Sequence, residues 1–428
     1  MTKEQYKIVG LTAIAGALEF YDFTIYALFA PYISQHFFAH SNPLIALINT
    51  FLVFALGYLA RPLGGIVFGH LGDKFGRKFA FSLSVFIMAI ATLCIGCLPD
   101  YQSIGVMAPL SLLGLRLLQG FSVGGEIPGA AVFTIEHVPL NKRGFSIGFV
   151  FMCITLGNSL GALVGLFLTC LLNQEQMMSW GWRVPFVVGF ILGILSYFIR
   201  KRTFETPVFL AMMKEGTLQR KPVLILLKSS RKKLFKGFLL TAVSSGIISL
   251  FLYLPTYLSN IIQINSSQVY LINLVTFLSF AMTTAFFGWS SDHVNRKKLL
   301  AIGAVLLILF SYPLFFGLTA LGKSFIWVFS LGFAICGGLI NGSYVVLITE
   351  LFPPSIRYTG VGLSYSLGIA IFGGIAPLVF TWLIQWLQSA EAPAIYLLGC
   401  ALLTWLAILA GDENSNKASK LESAIKTS

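Results

Sequence analysis

The stretch "GHLGDKFGRK" (residues 69–78) has an echo later in the chain. It sets Gly69, Asp73 and Arg77 at intervals of four, and "GWSSDHVNRKK" (residues 288–298) sets Gly288, Asp292 and Arg296 at the same intervals, 219 residues on. A second pair agrees. "EHVPLNKRG" (136–144) places Glu136, Pro139 and Arg143 at offsets of three and seven, and "ELFPPSIRYTG" (350–360) repeats them as Glu350, Pro353 and Arg357, 214 residues on. Two polar motifs displaced by nearly the same distance are accounted for by one duplication, so the chain reads as two like halves.

The sequence around these motifs is apolar. Of 428 residues, 57% are hydrophobic and 11% charged, whereas a soluble domain carries about 25% charged residues. The 41 glycines and 39 phenylalanines suit membrane helices, where small residues let helices approach closely. A membrane span needs about 20 apolar residues. Twelve are expected, near 8–33, 44–69, 79–98, 106–135, 145–172, 184–200, 236–259, 269–291, 299–319, 325–349, 360–386 and 393–410. The predicted fold is an all-α membrane protein of 12 transmembrane helices in two six-helix pseudo-symmetric halves. Its parts are an N-terminal bundle (1–200), a basic linker (201–235), a C-terminal bundle (236–410) and a short tail (411–428). Duplicated halves with duplicated loops imply a transporter that rocks about a central site.

Charge gives the orientation. Of the 29 Lys and Arg, 25 fall in the termini and in the loops on one side; the opposite loops hold Arg183 and Lys323, and Arg61 and Arg116 lie inside spans. The positive-inside rule then places both termini in the cytoplasm, in a multi-pass plasma membrane protein. The net charge of +13 is explained by topological anchors facing anionic lipid, so no nucleic-acid partner is expected. All six cysteines fall in apolar segments, and Cys94 and Cys97 have no second ligand pair near them. Neither a metal nor another cofactor is expected. Nor is an enzyme: no nucleophile–base spacing or phosphate loop is present. No cleavable leader is expected either, because the first apolar run is too long and carries two acids.

Those acids sit in "LEFYDFTIY" (18–26). An ionisable residue inside a span costs ~2.5–3.5 kcal/mol on insertion scales and is a functional candidate. The N-terminal half has five: Glu19, Asp22, Arg61, Arg116 and Glu126. On a helix Glu19, Asp22 and Tyr26 share a face, and Arg116, Gln119 and Glu126 form another stripe. Three acids against two arginines leave one carboxyl without a cationic partner, and such a group exchanges protons near neutral pH. Glu19, Asp22 and Glu126 are therefore the candidates for proton coupling. Arginine stays protonated, so Arg116 and Arg61 either pair with an acid or bind a substrate carboxylate. Tyr26 and Gln119 stand beside them. The C-terminal half offers Tyr253, Tyr257 and Asn341, with Trp289, Tyr344 and Tyr365. Aromatic faces hold a quaternary ammonium by cation–π attraction, which tilts the substrate toward a zwitterion or monocarboxylate.

The loop G-x-x-x-D-x-x-G-R-K resembles the signature of the major facilitator superfamily. With "EFYDFTIY", "ARPLGG" (60–65), "LRLLQGFSVGGE" (115–126), "GWRVPF" (181–186), "RTFETPVF" (202–209) and "YLPTYL" (253–258), the chain resembles the metabolite:proton symporter family, which includes proline/betaine, dicarboxylate, citrate and shikimate carriers. The resemblance implies proton-coupled uptake of a small organic solute, a zwitterionic osmolyte, amino acid or carboxylate, by alternating access in a monomer. It also implies that Asp73, Arg77, Asp292 and Arg296, together with Arg143, Glu350 and Arg357, latch the halves in one conformation. Gly69 and Gly76 allow close approach and tight turning there. The alternative is export of a metabolite or drug by proton antiport. The antiporter signature places Pro after the second glycine of a Gly157–Gly161–Gly165 face, and Ala162 stands at that position.

Overall fold

Every regular element among the described residues is a helix. The structure, a computed structural model, describes residues 1–38, 42–219 and 221–410, apart from the side chains of residues 19, 23, 43, 44, 266 and 267. Among the described residues, nine stretches are long and apolar enough to cross a membrane. One of them, Arg296–Glu350, folds back at Gly322–Phe325 and supplies two helices, Arg296–Leu321 and Ile326–Glu350. Met107–His137 and Pro393–Leu409 complete twelve. In chain order the spans are Lys3–Leu28, Ile45–Phe75, Arg77–Cys97, Met107–His137, Arg143–Leu171, Val184–Lys201, Arg231–Asn260, Ser266–Ser290, Arg296–Leu321, Ile326–Glu350, Pro354–Leu387 and Pro393–Leu409; they are called span one to span twelve.

Span one ends earlier than the apolar run does. Its helix closes at Leu28 and restarts as Ala30–Phe37, with Pro31 in the first turn. Proline has no N–H to continue the ladder, and it fits a first turn. In the sequence His36 and His40 read as ordinary surface of an external loop; His40 lies outside the described residues. His36 is no plain surface residue: it is half-buried, its ring 5.0 Å from that of Trp182.

Three of the prolines inside spans each free a carbonyl four residues back to which another span supplies a donor. Pro128 frees Gly124 O, which accepts from Ser366 Oγ of span eleven at 3.1 Å. Pro255 frees Phe251 O, which accepts from Asn273 Nδ2 of span eight at 2.9 Å. Pro377 frees Gly373 O, which accepts from Ser249 Oγ of span seven at 2.9 Å. Hydrocarbon offers no water to satisfy a broken backbone, so neighbouring side chains must. Around Pro377 the helix is also widened to a π-turn over Ile369–Gly374.

Glycines fix how closely the spans approach. A Cβ on Gly120 would lie 1.7 Å from Gly57 O, and one on Gly64 would lie 1.7 Å from Phe121 O. Spans two and four therefore cross backbone to backbone, with Gly57 against Arg116 O and Gly124 against Arg61 O. Of the Gly157–Gly161–Gly165 face on span five, only Gly157 is forced: a Cβ there would stand 2.0 Å from Ala17 O, while Gly161 and Gly165 have ordinary clearances of 3.6 and 3.7 Å.

Between spans six and seven lie two short helices, Pro207–Lys214 and Pro222–Ser229. The helix leading into span seven begins at Arg231, so part of the basic run is already helical. The end of the molecule that carries this segment and the duplicated loops is called the basic face below.

Candidate functional site

A small cavity lies between the two sets of spans. Phe20, Thr24, Tyr58, Arg61 and Asn158 line it from one half; Ser245, Ser249 and Tyr365 line it from the other. Arg61 is the one charged side chain on this wall among the described residues. Its guanidinium lies 4.0 Å from the centre of the Tyr58 ring. Thr24 Oγ1 donates to Asn158 Oδ1 and closes the wall between spans one and five.

Asp22, Glu126 and Arg116 are buried inside the N-terminal half and do not line this wall. Asp22 is 1% exposed and Glu126 2%. Asp22 Oδ2 accepts from Thr92 Oγ1 of span three at 3.1 Å. Its Oδ1 faces the backbone of span six, where a Cβ on Gly189 would lie 2.0 Å away. Neither Asp22 Oδ1 nor Glu126 Oε1 has a hydrogen-bond partner among the described residues, and neither acid forms an ion pair there. The side chain of Glu19 lies outside the described residues.

Arg116 is buried but not on the cavity wall. Its guanidinium stacks 4.1 Å from the Tyr26 ring centre and 5.1 Å from that of Phe54, and Nη1 donates to Gln119 Oε1 at 2.6 Å. Gln119 Nε2 in turn donates to Thr92 Oγ1 at 2.7 Å. A continuous path of hydrogen bonds thus runs from Arg116 through Gln119 and Thr92 to Asp22, across spans four, three and one.

The aromatic candidates of the C-terminal half are dispersed. Tyr253 Oη meets Thr381 Oγ1 at 3.0 Å, and Tyr257 Oη donates to Ala390 O at 2.8 Å while its ring packs on Phe315. Neither lines the cavity. Asn341 accepts from Ser244 at 3.3 Å. Tyr365, which does line the cavity, stacks with Tyr344 at 6.4 Å. Cys94 and Cys97 are exposed on the outer surface. Among the described residues no cluster of His, Cys, Asp and Glu has metal-binding geometry.

On the basic face the duplicated motifs meet crosswise. Asp73 accepts from the backbone N–H and Oγ1 of Thr359, at 2.9 and 2.6 Å. Asp292 accepts from the backbone N–H groups of Gly144 and Phe145, at 2.7 and 2.8 Å. Each aspartate of one half therefore caps the first turn of a helix in the other, where free N–H groups and the helix dipole favour a carboxylate. Each also pairs with the arginine four residues on, Arg77 at 3.2 Å and Arg296 at 3.1 Å. Glu136 holds Arg77 and Arg357, both at 3.2 Å; Glu350 holds Arg143 at 3.1 Å and Arg296 at 2.9 Å. Gly69 lets span two touch Thr359, whose Cα would lie 2.8 Å from a Cβ. Gly76 has φ +112° and lies against Glu205.

Sequence reasoning missed Thr92, Thr24, Asn158, Tyr58, Ser245 and Ser249. A lone hydroxyl or amide in an apolar helix has no periodicity of its own, and only packing reveals its partner.

The chain is similar to several known proteins. It is 34% identical over 420 residues to a Staphylococcus aureus (strain COL) protein named for proline/betaine transport, covering 95% of this chain and 88% of that one. It is 31% identical over 427 residues to the glycine betaine/proline/ectoine/pipecolic acid transporter OusA of Dickeya dadantii (strain 3937), covering 97% and 84%. Its fold matches the proton:xylose symporter XylE bound to 6-bromo-6-deoxy-D-glucose, with a TM-score of 0.80 at 16% identity over 95% of this chain and 94% of that one. The Major Facilitator Superfamily sequence model matches residues 12–368 and again 238–425. Twelve spans, crosswise repeated loops, full-length relatives and this match place the chain in the major facilitator superfamily, as a membrane transporter of a small solute and not an enzyme.

Proposed function

We propose that the chain is a proton-coupled symporter that takes up a small zwitterionic osmolyte or amino acid by alternating access. The observation that carries this reading is a buried carboxyl, Asp22, that forms no ion pair among the described residues, with buried Glu126 acting on it and on Arg61, the charged group of the cavity wall. A carboxyl kept from water and from cations gains and loses a proton at little cost, as a proton-driven carrier needs. Arg61 suits a substrate carboxylate, and the rings of Tyr58, Tyr365 and Phe20 suit a quaternary or secondary ammonium. The names of the relatives support the same substrate class. Arg116, Gln119 and Tyr26 then form the layer between substrate and proton site, with Glu19 a third candidate acid.

The basic face is cytoplasmic in this reading, by the positive-inside rule, and both termini lie there, in a bacterial inner membrane. The paired networks around Asp73 and Asp292 are latches of a state closed to the cytoplasm. The protein acts as a monomer, since each half completes the other's latches. Purified protein in liposomes with an imposed pH gradient tests the reading, offered proline, glycine betaine, 2-oxoglutarate, citrate, shikimate and amino acids. Gradient-driven accumulation of a zwitterion is expected; uptake indifferent to the gradient would remove the symport claim.

A further inference from the structure

The path from Arg116 to Asp22 has a fixed direction. A guanidinium only donates, so the Gln119 oxygen faces Arg116 and its NH₂ faces Thr92. Thr92 must therefore accept from Gln119, and its own single proton is left for one of two acceptors. Both are in place: Asp22 Oδ2 at 3.1 Å and Met88 O at 3.0 Å. One proton serves one of them fully at a time. When Asp22 is ionised, its carboxylate is the stronger acceptor and draws the Thr92 hydroxyl. When Asp22 is protonated it becomes a donor toward Thr92 Oγ1, and the hydroxyl proton must turn to Met88 O. Thr92 then accepts two hydrogen bonds, one from Asp22 and one from Gln119. This weakens its hold on Gln119, which is the partner of Arg116.

We propose that Thr92 is a positioning residue that reports the proton on Asp22 to Arg116: its hydroxyl swings between Asp22 and Met88, and Gln119 passes the change on. The proposal rests on the proton-coupled reading given above. No proton crosses Thr92; its own proton changes acceptor. The surroundings leave Thr92 without a rival for the role. Span six presents Gly189 and Gly193 to the carboxyl, and span three presents Thr92, with no ionisable side chain. Among the described residues the titratable groups facing Asp22 are Tyr21 on its own span, tied to Pro185 O at 3.1 Å, and Glu126 on span four, whose charge acts on it.

Infrared titration of the purified protein in liposomes tests this without any substrate. The carboxyl band that vanishes in Asp22→Asn belongs to Asp22. In Thr92→Val the midpoint of that band should move to higher pH by about one unit, a tenfold rise in proton affinity, because a hydrogen bond to the anion is lost. Thr92→Ser should restore it. Gln119→Leu should move it the same way by less, since linked hydrogen bonds strengthen one another. Should Thr92→Val not reach the membrane, Thr92→Cys, a weak donor of similar size, carries the same expectation. A wild-type midpoint in the Thr92 variants overturns the relay while leaving Asp22 as the proton site. An effect of Thr92→Val without one of Gln119→Leu overturns the link to Arg116. No band lost in Asp22→Asn at any pH would instead sink the assignment of Asp22 as carrier.

Discussion

The two networks on the basic face began as copies and now sit in different surroundings. Glu136 and Arg77 have wholly buried side chains, whereas Glu350, Arg296 and Arg143 remain 15–29% exposed. The difference comes from the segment between the halves, which covers one network. Thr206 Oγ1 donates to Glu136 at 2.8 Å, and Glu205 accepts from the backbone of Lys78 at 3.0 Å. Phe209 covers Arg77, 5.0 Å from its guanidinium. Equal spacing in sequence thus yields unequal electrostatics, because charge strength follows desolvation and not motif. In the covered network, loss of one partner leaves a buried charge uncompensated; the open one is screened by water and salt.

That contrast is open to attack by substitution. Glu136→Gln should have the largest effect. It leaves Arg77 and Arg357 buried with less compensation, a loss of about 3–5 kcal/mol. Spin-label distances across the basic face should lengthen, with the closed population falling by a factor of roughly a hundred or more. Asp73→Asn should follow, at about 1–3 kcal/mol, since it weakens charge-assisted bonds to the first turn of span eleven while keeping their shape. Thr206→Val removes one hydrogen bond and admits water at the cover. It should cost about 1 kcal/mol and make the Glu136 network respond to salt as the Glu350 network does. Glu350→Gln should be mildest, about 0–1 kcal/mol and vanishing at high ionic strength. An equal, salt-independent loss from Glu136→Gln and Glu350→Gln would erase the proposed difference.

Much of this architecture is legible in the chain. Polar residues repeated at fixed spacing inside an apolar sequence gave away the duplication, and Asp22 was visible because a charge in a span is costly. What covers Glu136 was not legible, because cover is a tertiary fact: Thr206 and Phe209 lie some 70 residues from the acid they shield. Prolines 128, 255 and 377 could be read as breaks, but not Ser366, Asn273 and Ser249, which repair them. Arg116 looked like a substrate contact because it lies mid-span. The close crossing of spans two and four instead gives the cavity wall to Arg61 and stacks Arg116 on Tyr26.

The central claim is that a proton on a buried acid of the N-terminal half drives uptake. The most direct test compares two modes of transport in one variant, Asp22→Asn, reconstituted in liposomes with whichever zwitterion the wild type accumulates. A permanently neutral side chain should abolish accumulation on an imposed pH gradient and leave exchange of labelled for unlabelled substrate running. Accumulation on the gradient at the wild-type level would contradict the account.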